Sequence, residues 1–112
     1  ALRGSSGEKA IFAEGFTEIP MRACYEAKNL KEAVIPEGVE TMHKSVFCNC
    51  VRLAKLPLPS TLKTLGEYVF YGCTSVTEAD LPASLEKIGV YCFENCSGMK
   101  TTRLPNTETM ML

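Results

Sequence analysis

The sequence predicts a solenoid of mixed α/β class, mostly β, in which a right-handed coil lays short parallel strands along one concave face and short turns or 3-10/helical turns opposite. Two observations carry this. Cys50, Cys73 and Cys96 are spaced by 23 residues, and so are Phe47, Phe70 and Phe93; Pro36, Pro59, Pro82 and Pro105 keep the same step. A unit this short cannot bury its own apolar face, so successive units must stack on one another.

Further columns follow the same period. Ile35, Leu58, Leu81 and Leu104 form one, and Leu30, Leu53, Val76 and Met99 another. Val39, Leu62 and Leu85 align, as do Met42, Leu65 and Ile88, and Gly66 with Gly89. In chain order, residues 1–9 read as a flexible N-terminal segment, with Arg3-Gly-Ser-Ser-Gly7 at its centre. The repeat array runs over 10–112. It begins with a degraded half unit over about residues 10–27, where Ile19, Ala23 and Cys24 fall one step before Met42, Val46 and Phe47. Three clear units follow, and another opens at Cys96.

Each unit can be justified from its residues. In Lys55-Leu56-Pro57-Leu58 the alternation has strand period, with Leu56 and Leu58 inward and Lys55 and Pro57 outward. Proline then stops the strand and turns the chain. Leu62, Leu65, Val69 and Phe70 fall at i, i+3, i+7 and i+8, a helical spacing that Gly66 interrupts. The expectation is a short extended piece near Lys63 to Leu65, a bend at Gly66, and a helical turn that drives Phe70 into the core. His43 replaces Gly at the first such bend, where a positive φ would cost it more than glycine.

The string Leu53-Ala-Lys-Leu56-Pro-Leu58-Pro59-Ser-Thr-Leu62-Lys-Thr-Leu65-Gly66-Glu-Tyr-Val-Phe70-Tyr-Gly-Cys73 resembles the BspA-like, or Treponema-type, leucine-rich repeat family. The resemblance covers about residues 28–107 well and the remainder loosely. His43 in place of the Gly, and Cys24 in place of the Phe, depart from its pattern. What it implies is a repeat scaffold of bacteria and some unicellular eukaryotes, often discussed as a surface adhesin that contacts host or neighbouring-cell proteins.

Composition excludes several other classes. Twelve basic residues against thirteen acidic ones, over 112 residues, give a net charge of −1, which supplies no global positive field for nucleic acid. No apolar run reaches the about 18 residues needed to span a bilayer, so no membrane insertion is expected. Neither a metal nor a cofactor is expected. The six cysteines could mean a disulfide framework or a metal site, but a ladder places thiols in a line, where zinc needs tetrahedral convergence. Cys50, Cys73 and Cys96, with Phe47, Phe70 and Phe93, read as a structural ladder; Cys24 and Cys92 fall in packing columns. Only Cys48, aligned with Tyr71 and Glu94, is expected to be exposed.

Catalysis finds no support in the sequence, and the expectation is that the protein is not an enzyme. His43 and Cys48 invite a Cys–His reading, yet neither an oriented base nor an oxyanion pocket is discernible. Asn95-Cys-Ser97 and Asn106-Thr107-Glu108 do not persuade as glycosylation sites. Tyr68 and Tyr91 share a column and should stack at the outer edge, with Tyr71 and Tyr25 near the same turns.

The informative surface is the outward side of the strands. Glu32, Lys55, Glu78 and Thr101 form one column, and Val34, Pro57, Asp80 and Arg103 the other; in-register stacking alternates charge along the first and sets Asp80 beside Arg103. These eight residues are the candidate contact surface for a protein partner of unknown identity. The alternative is a structural segment that self-associates through open solenoid ends, since Met110, Met111 and Leu112 close the chain without a charged cap. Polar Glu8, Lys9 and Glu14 make the N-terminal half unit the better cap. A cell-surface or secreted location is expected if the chain is part of a longer adhesin, and a cytoplasmic one otherwise.

Overall fold

A computed structural model describes residues 7–99 and 101–103, with backbone alone at 78–80 and 101–103. Residues 1–6 of the expected flexible segment, and Leu104, Pro105, Asn106-Thr107-Glu108, Met110, Met111 and Leu112, lie outside the described residues.

Every strand pairing is parallel and in register at the 23-residue step. Strand β1 (Lys9–Ile11) pairs with β3 (Glu32–Val34), and β6 (Glu78–Asp80) with β8 (Thr101–Arg103). A second sheet, nearly opposite in each coil, runs β2 (Glu18–Ile19), β4 (Thr41–Met42), β5 (Thr64–Leu65) and β7 (Lys87–Ile88). The extended piece expected before Gly66 is β5, and the first strand already includes Lys9.

The first sheet is interrupted in the third coil, and on the side of the second coil a single residue accounts for it. Lys55 N–H donates to the Lys31 carbonyl at 3.2 Å, and Ala33 N–H donates to the Lys55 carbonyl at 3.2 Å. The next donor in this ladder falls on residue 57, a proline without an N–H. The third coil therefore keeps a single bridge, Glu32 with Lys55.

The buried side chains of both sheets and of the turns form one continuous core. Ala10, Ala33, Ile35 and Leu81 enter it from the first sheet, Ile19, Met42, Leu65 and Ile88 from the second, and Phe47 and Phe70 from the turns. Leu56 and Leu58 are half-buried against it. Phe47 and Phe70 stack at 5.8 Å with planes 3° apart, and Phe70 and Phe93 at 5.2 Å and 19°.

The segment after each bend differs from the expected helical turn. Residues 21–26, 44–49 and 67–72 form linked turns, closed locally by bonds such as Tyr71 N–H to the Tyr68 carbonyl at 3.2 Å. Alternate N–H groups instead donate to the next coil: Phe47 to Val69 at 2.9 Å, Asn49 to Tyr71 at 2.6 Å, Phe70 to Cys92 at 2.9 Å and Gly72 to Glu94 at 2.9 Å. Left-handed residues make this alternation geometrically feasible. One column, Arg22, Ser45, Tyr68 and Tyr91, has φ between 61° and 63°; another holds Glu26, Asn49, Gly72 and Asn95. A left-handed residue every fourth position breaks a helix and keeps the chain circling.

The bend glycines are required for another reason than the one expected. Gly66 and Gly89 do not have positive φ; they are pressed against the preceding coil. A Cβ on Gly89 would lie 2.5 Å from the Glu67 nitrogen, and one on Gly66 3.0 Å from the His43 carbonyl carbon. His43 N–H donates to the Ile19 carbonyl in the coil before it at 3.1 Å, and its ring turns outward to Glu18, to which it is hydrogen-bonded.

Candidate functional site

The outward side of the first sheet is built from two rows. Parallel register sets Lys9, Glu32 and Lys55 side by side, and Ile11 beside Val34. Pro57 continues the second row by the same step and is exposed. In the later coils the backbone register brings Glu78 against Thr101 and Asp80 against Arg103. The structure thus carries Glu32, Val34, Lys55 and Pro57 on one side of the stack, and Glu78, Asp80, Thr101 and Arg103 on the later strands. The rows differ in character: Lys9, Glu32 and Lys55 alternate in charge, whereas Ile11, Val34 and Pro57 are apolar, and Ile11 is 70% exposed.

A groove of about 600 Å3 opens where these strands begin. Lys9, Glu32 and Lys55 line it together with Glu8, Lys31 and Arg52, and Lys31 approaches Glu8 to 3.8 Å. The strand alternation did not single out Lys31 and Arg52, because they precede the outward positions. The signal that finds them is the repeat itself: Glu8, Lys31 and Ala54 form a column at the lip, and Arg52 shares one with Ser75.

The cysteine ladder has a specific bonding role. The thiol of Cys50 donates to the Cys24 carbonyl at 3.0 Å, that of Cys73 to Phe47 at 3.1 Å, and that of Cys96 to Phe70 at 3.0 Å. Each of these carbonyls lies in the preceding coil, and all three also accept from the backbone of their own turn, from Ala27, Cys50 and Cys73 N–H respectively. The column needs a residue that is small, apolar and able to donate weakly, which describes cysteine. Burial pushes the Cys50 and Cys92 thiols up to about 12 and raises that of Cys73 further. Cys96 is half-buried and also raised, again through burial. All six cysteines are thiols rather than disulfides.

Cys48 is not the exposed thiol its column suggested. It is only 6% exposed, because its short side chain lies in the stack between Tyr25 and Tyr71, both half-buried. Burial first, and then the Glu26 carboxylate, raise its pKa, with Arg22 opposing. A nucleophilic thiol needs the reverse shift. On the outer edge Tyr68 stacks on Tyr91 at 5.3 Å and meets Tyr71 edge-on at 5.4 Å, while Arg22 lies 5.2 Å from the Tyr25 ring centre.

The first coil is less polar than Glu8, Lys9 and Glu14 suggested. Phe16 is 64% exposed and Met21 58%, and a cavity of about 270 Å3 opens among Phe12, Phe16, Ile19, Pro20, Ala23 and Val39. Among the described residues, no helix is long and apolar enough to cross a membrane.

Residues 4–111 match the family model described as "BspA type Leucine rich repeat region", in six copies. No curated protein matches the chain. Among solved structures, a leucine-rich repeat protein from Bacteroides ovatus is similar with a TM-score of 0.76 and 23% identity over 98% of this chain and 34% of that one. The Treponema pallidum leucine-rich repeat protein gives 0.67 and 22%, covering 90% of this chain and 60% of its own. A leucine-rich cell surface protein from Faecalibacterium prausnitzii gives 0.71 and 21%, covering 95% and 34%. The chain therefore spans about a third to three fifths of the length of these structures.

Proposed function

Because the chain belongs to the BspA-type leucine-rich repeat family, we propose that it is a protein-interaction scaffold that binds a protein partner through its concave face, as a segment of a cell-surface adhesin. A repeat scaffold is what the family membership itself establishes. The concave site is supported by one observation above the rest: the outward rows set an apolar strip, Ile11, Val34 and Pro57, beside an alternating charged one, Lys9, Glu32 and Lys55. Apolar ground with a polar rim is the anatomy of protein interfaces. The surface location is supported by the cell-surface description of the Faecalibacterium prausnitzii protein with the same fold.

The reading assigns no catalytic role. His43 is engaged with Glu18, and Cys48 is buried with its pKa raised. Selection from a random peptide display library tests the site. Ligands should be lost with Val34→Arg on the concave side and kept with Lys87→Glu on the opposite sheet. Ligands indifferent to Val34 would defeat the proposal.

A second reading, self-association through the solenoid end at the first coil, is favoured by the exposure of Phe16 at the apolar cavity and of Met21 in the same coil. Sedimentation against concentration checks it. It predicts a dimer that Phe16→Glu returns to monomer, and a monomer at all concentrations would remove it.

A further inference from the structure

The groove at the start of the concave strands has a charge pattern that specifies more than a protein surface. Its described lining spans four successive coils, from Glu8 to Ser75, and sets four cations, Lys9, Lys31, Arg52 and Lys55, against two carboxylates, Glu8 and Glu32. Lys31 is paired with Glu8 at 3.8 Å. Lys9, Arg52 and Lys55 are exposed and have no ion-pair partner among the described residues. Glu32 lies between Lys9 and Lys55 in the stack.

We infer that this groove binds an extended acidic polypeptide segment whose carboxylates meet Lys9, Arg52 and Lys55. The inference rests on the concave-face reading above and names the chemistry of its partner. Among the described residues, four cations against two carboxylates leave a net charge of +2 in the groove, although the whole chain carries −1. Charge complementarity of this kind acts chiefly on encounter and on the choice of partner.

Spacing favours an extended chain. Adjacent coils lie ~4.8 Å apart, so Lys9 and Lys55, two coils apart, are separated by roughly 10 Å along the stack. Three residues of polyproline II-like extended polypeptide, at ~3.1 Å each and three to the turn, cover nearly the same distance and return to the same face. Acidic residues three apart therefore reach both lysines. Glu32 and Glu8 decide against a uniform polyanion: a sulfated polysaccharide would set like charges against both, whereas a polypeptide places neutral or basic residues there. The apolar row beginning with Ile11 and Val34 runs alongside and gives the intervening side chains a surface to cover.

Fluorescence anisotropy with a labelled Glu-Ser-Ser-Glu-Ser-Ser-Glu peptide tests this, with the Gln-for-Glu peptide and dextran sulfate as comparison probes. The acidic peptide should bind at least about tenfold tighter than the Gln peptide, and raising salt from about 50 mM to about 500 mM should remove most of that difference. Lys9→Gln combined with Arg52→Gln should weaken it about tenfold while circular dichroism and melting stay unchanged. Lys55→Gln is an independent variant expected to act in the same direction. Equal binding of the two peptides would overturn the inference. So would tighter binding of dextran sulfate lost with the same substitutions, or a homodimer that they abolish. Library ligands lost with Val34→Arg but indifferent to Lys9, Arg52 and Lys55 would overturn it and leave the interaction reading standing; the absence of any concave-face ligand would overturn both.

Discussion

The thiol of Cys73 donates a hydrogen bond to the carbonyl of Phe47, 3.1 Å away in the preceding coil, and the Cys73 backbone N–H donates to Phe70 in its own. One residue thus closes a turn and joins two coils. Cys73→Ala removes the inter-coil bond and leaves a small void, so it should cost about 1–2 kcal/mol in urea unfolding. Cys73→Leu should cost more, because Cys50 and Cys96 occupy the same column directly above and below. A Leu variant as stable as wild type would contradict a close-packed ladder.

The buried thiols also set the response to alkali. An unfolded thiol ionises near 9, and the folded Cys50 and Cys92 thiols near about 12. Between these values the folded chain holds more protons than the unfolded one, so stability falls as pH rises. The window opens near pH 9, and each of the two thiols contributes at most about 1.4 kcal/mol of loss per pH unit. Melting temperature measured from pH 8 to 11 should decline, and Cys92→Ala should make the decline shallower.

Gly89→Ala tests the close approach of coils. The added Cβ would stand 2.5 Å from the Glu67 nitrogen and 2.6 Å from the Gly66 carbonyl carbon, which are backbone atoms that cannot swing aside. A loss of about 2–3 kcal/mol is expected, at the upper end of overpacking. Gly38→Ala is the control. Its Cβ would meet nothing within 4 Å, but its φ of 105° adds backbone strain of roughly 1–2 kcal/mol.

Lys55→Glu would place a second carboxylate beside that of Glu32, across the bridge that joins the second and third coils. Opposite charges on neighbouring strands contribute roughly 0.2–1 kcal/mol, and like charges act in reverse. The expected loss is about 1 kcal/mol, a drop of some 4–8 °C in a domain of this size, and it should shrink at high salt. An unchanged melting curve would count against side-by-side placement of the two residues.

The repeat columns made most of the fold legible in advance. Phe47, Phe70 and Phe93, and the three ladder cysteines, recur at one step, and one step is one coil. What the columns do not carry is backbone sign and local cover. Leu62, Leu65, Val69 and Phe70 have helical spacing, yet Tyr68 between them is left-handed at φ 61°, and a tyrosine gives no compositional hint of that conformation. Cys48 shares a column with Tyr71 and Glu94, which marks the outer edge; its burial comes from its small size between two tyrosines. The groove escaped for a related reason, since alternation selects strand positions and Lys31 and Arg52 sit just before them. Pro57 was legible as an outward residue, but its effect on the ladder depends on register, which only pairing reveals.

The bonds that pass from coil to coil have a mechanical consequence. Cys24 to Val46, Phe47 to Val69 and Phe70 to Cys92 each tie one coil to the next, so no bond spans the length of the stack. Pulled at its two ends, such a chain yields one coil at a time, and each coil of 23 residues releases about 80 Å of contour length. A stack built this way lengthens under load in equal steps and rewinds by the same template, coil upon coil.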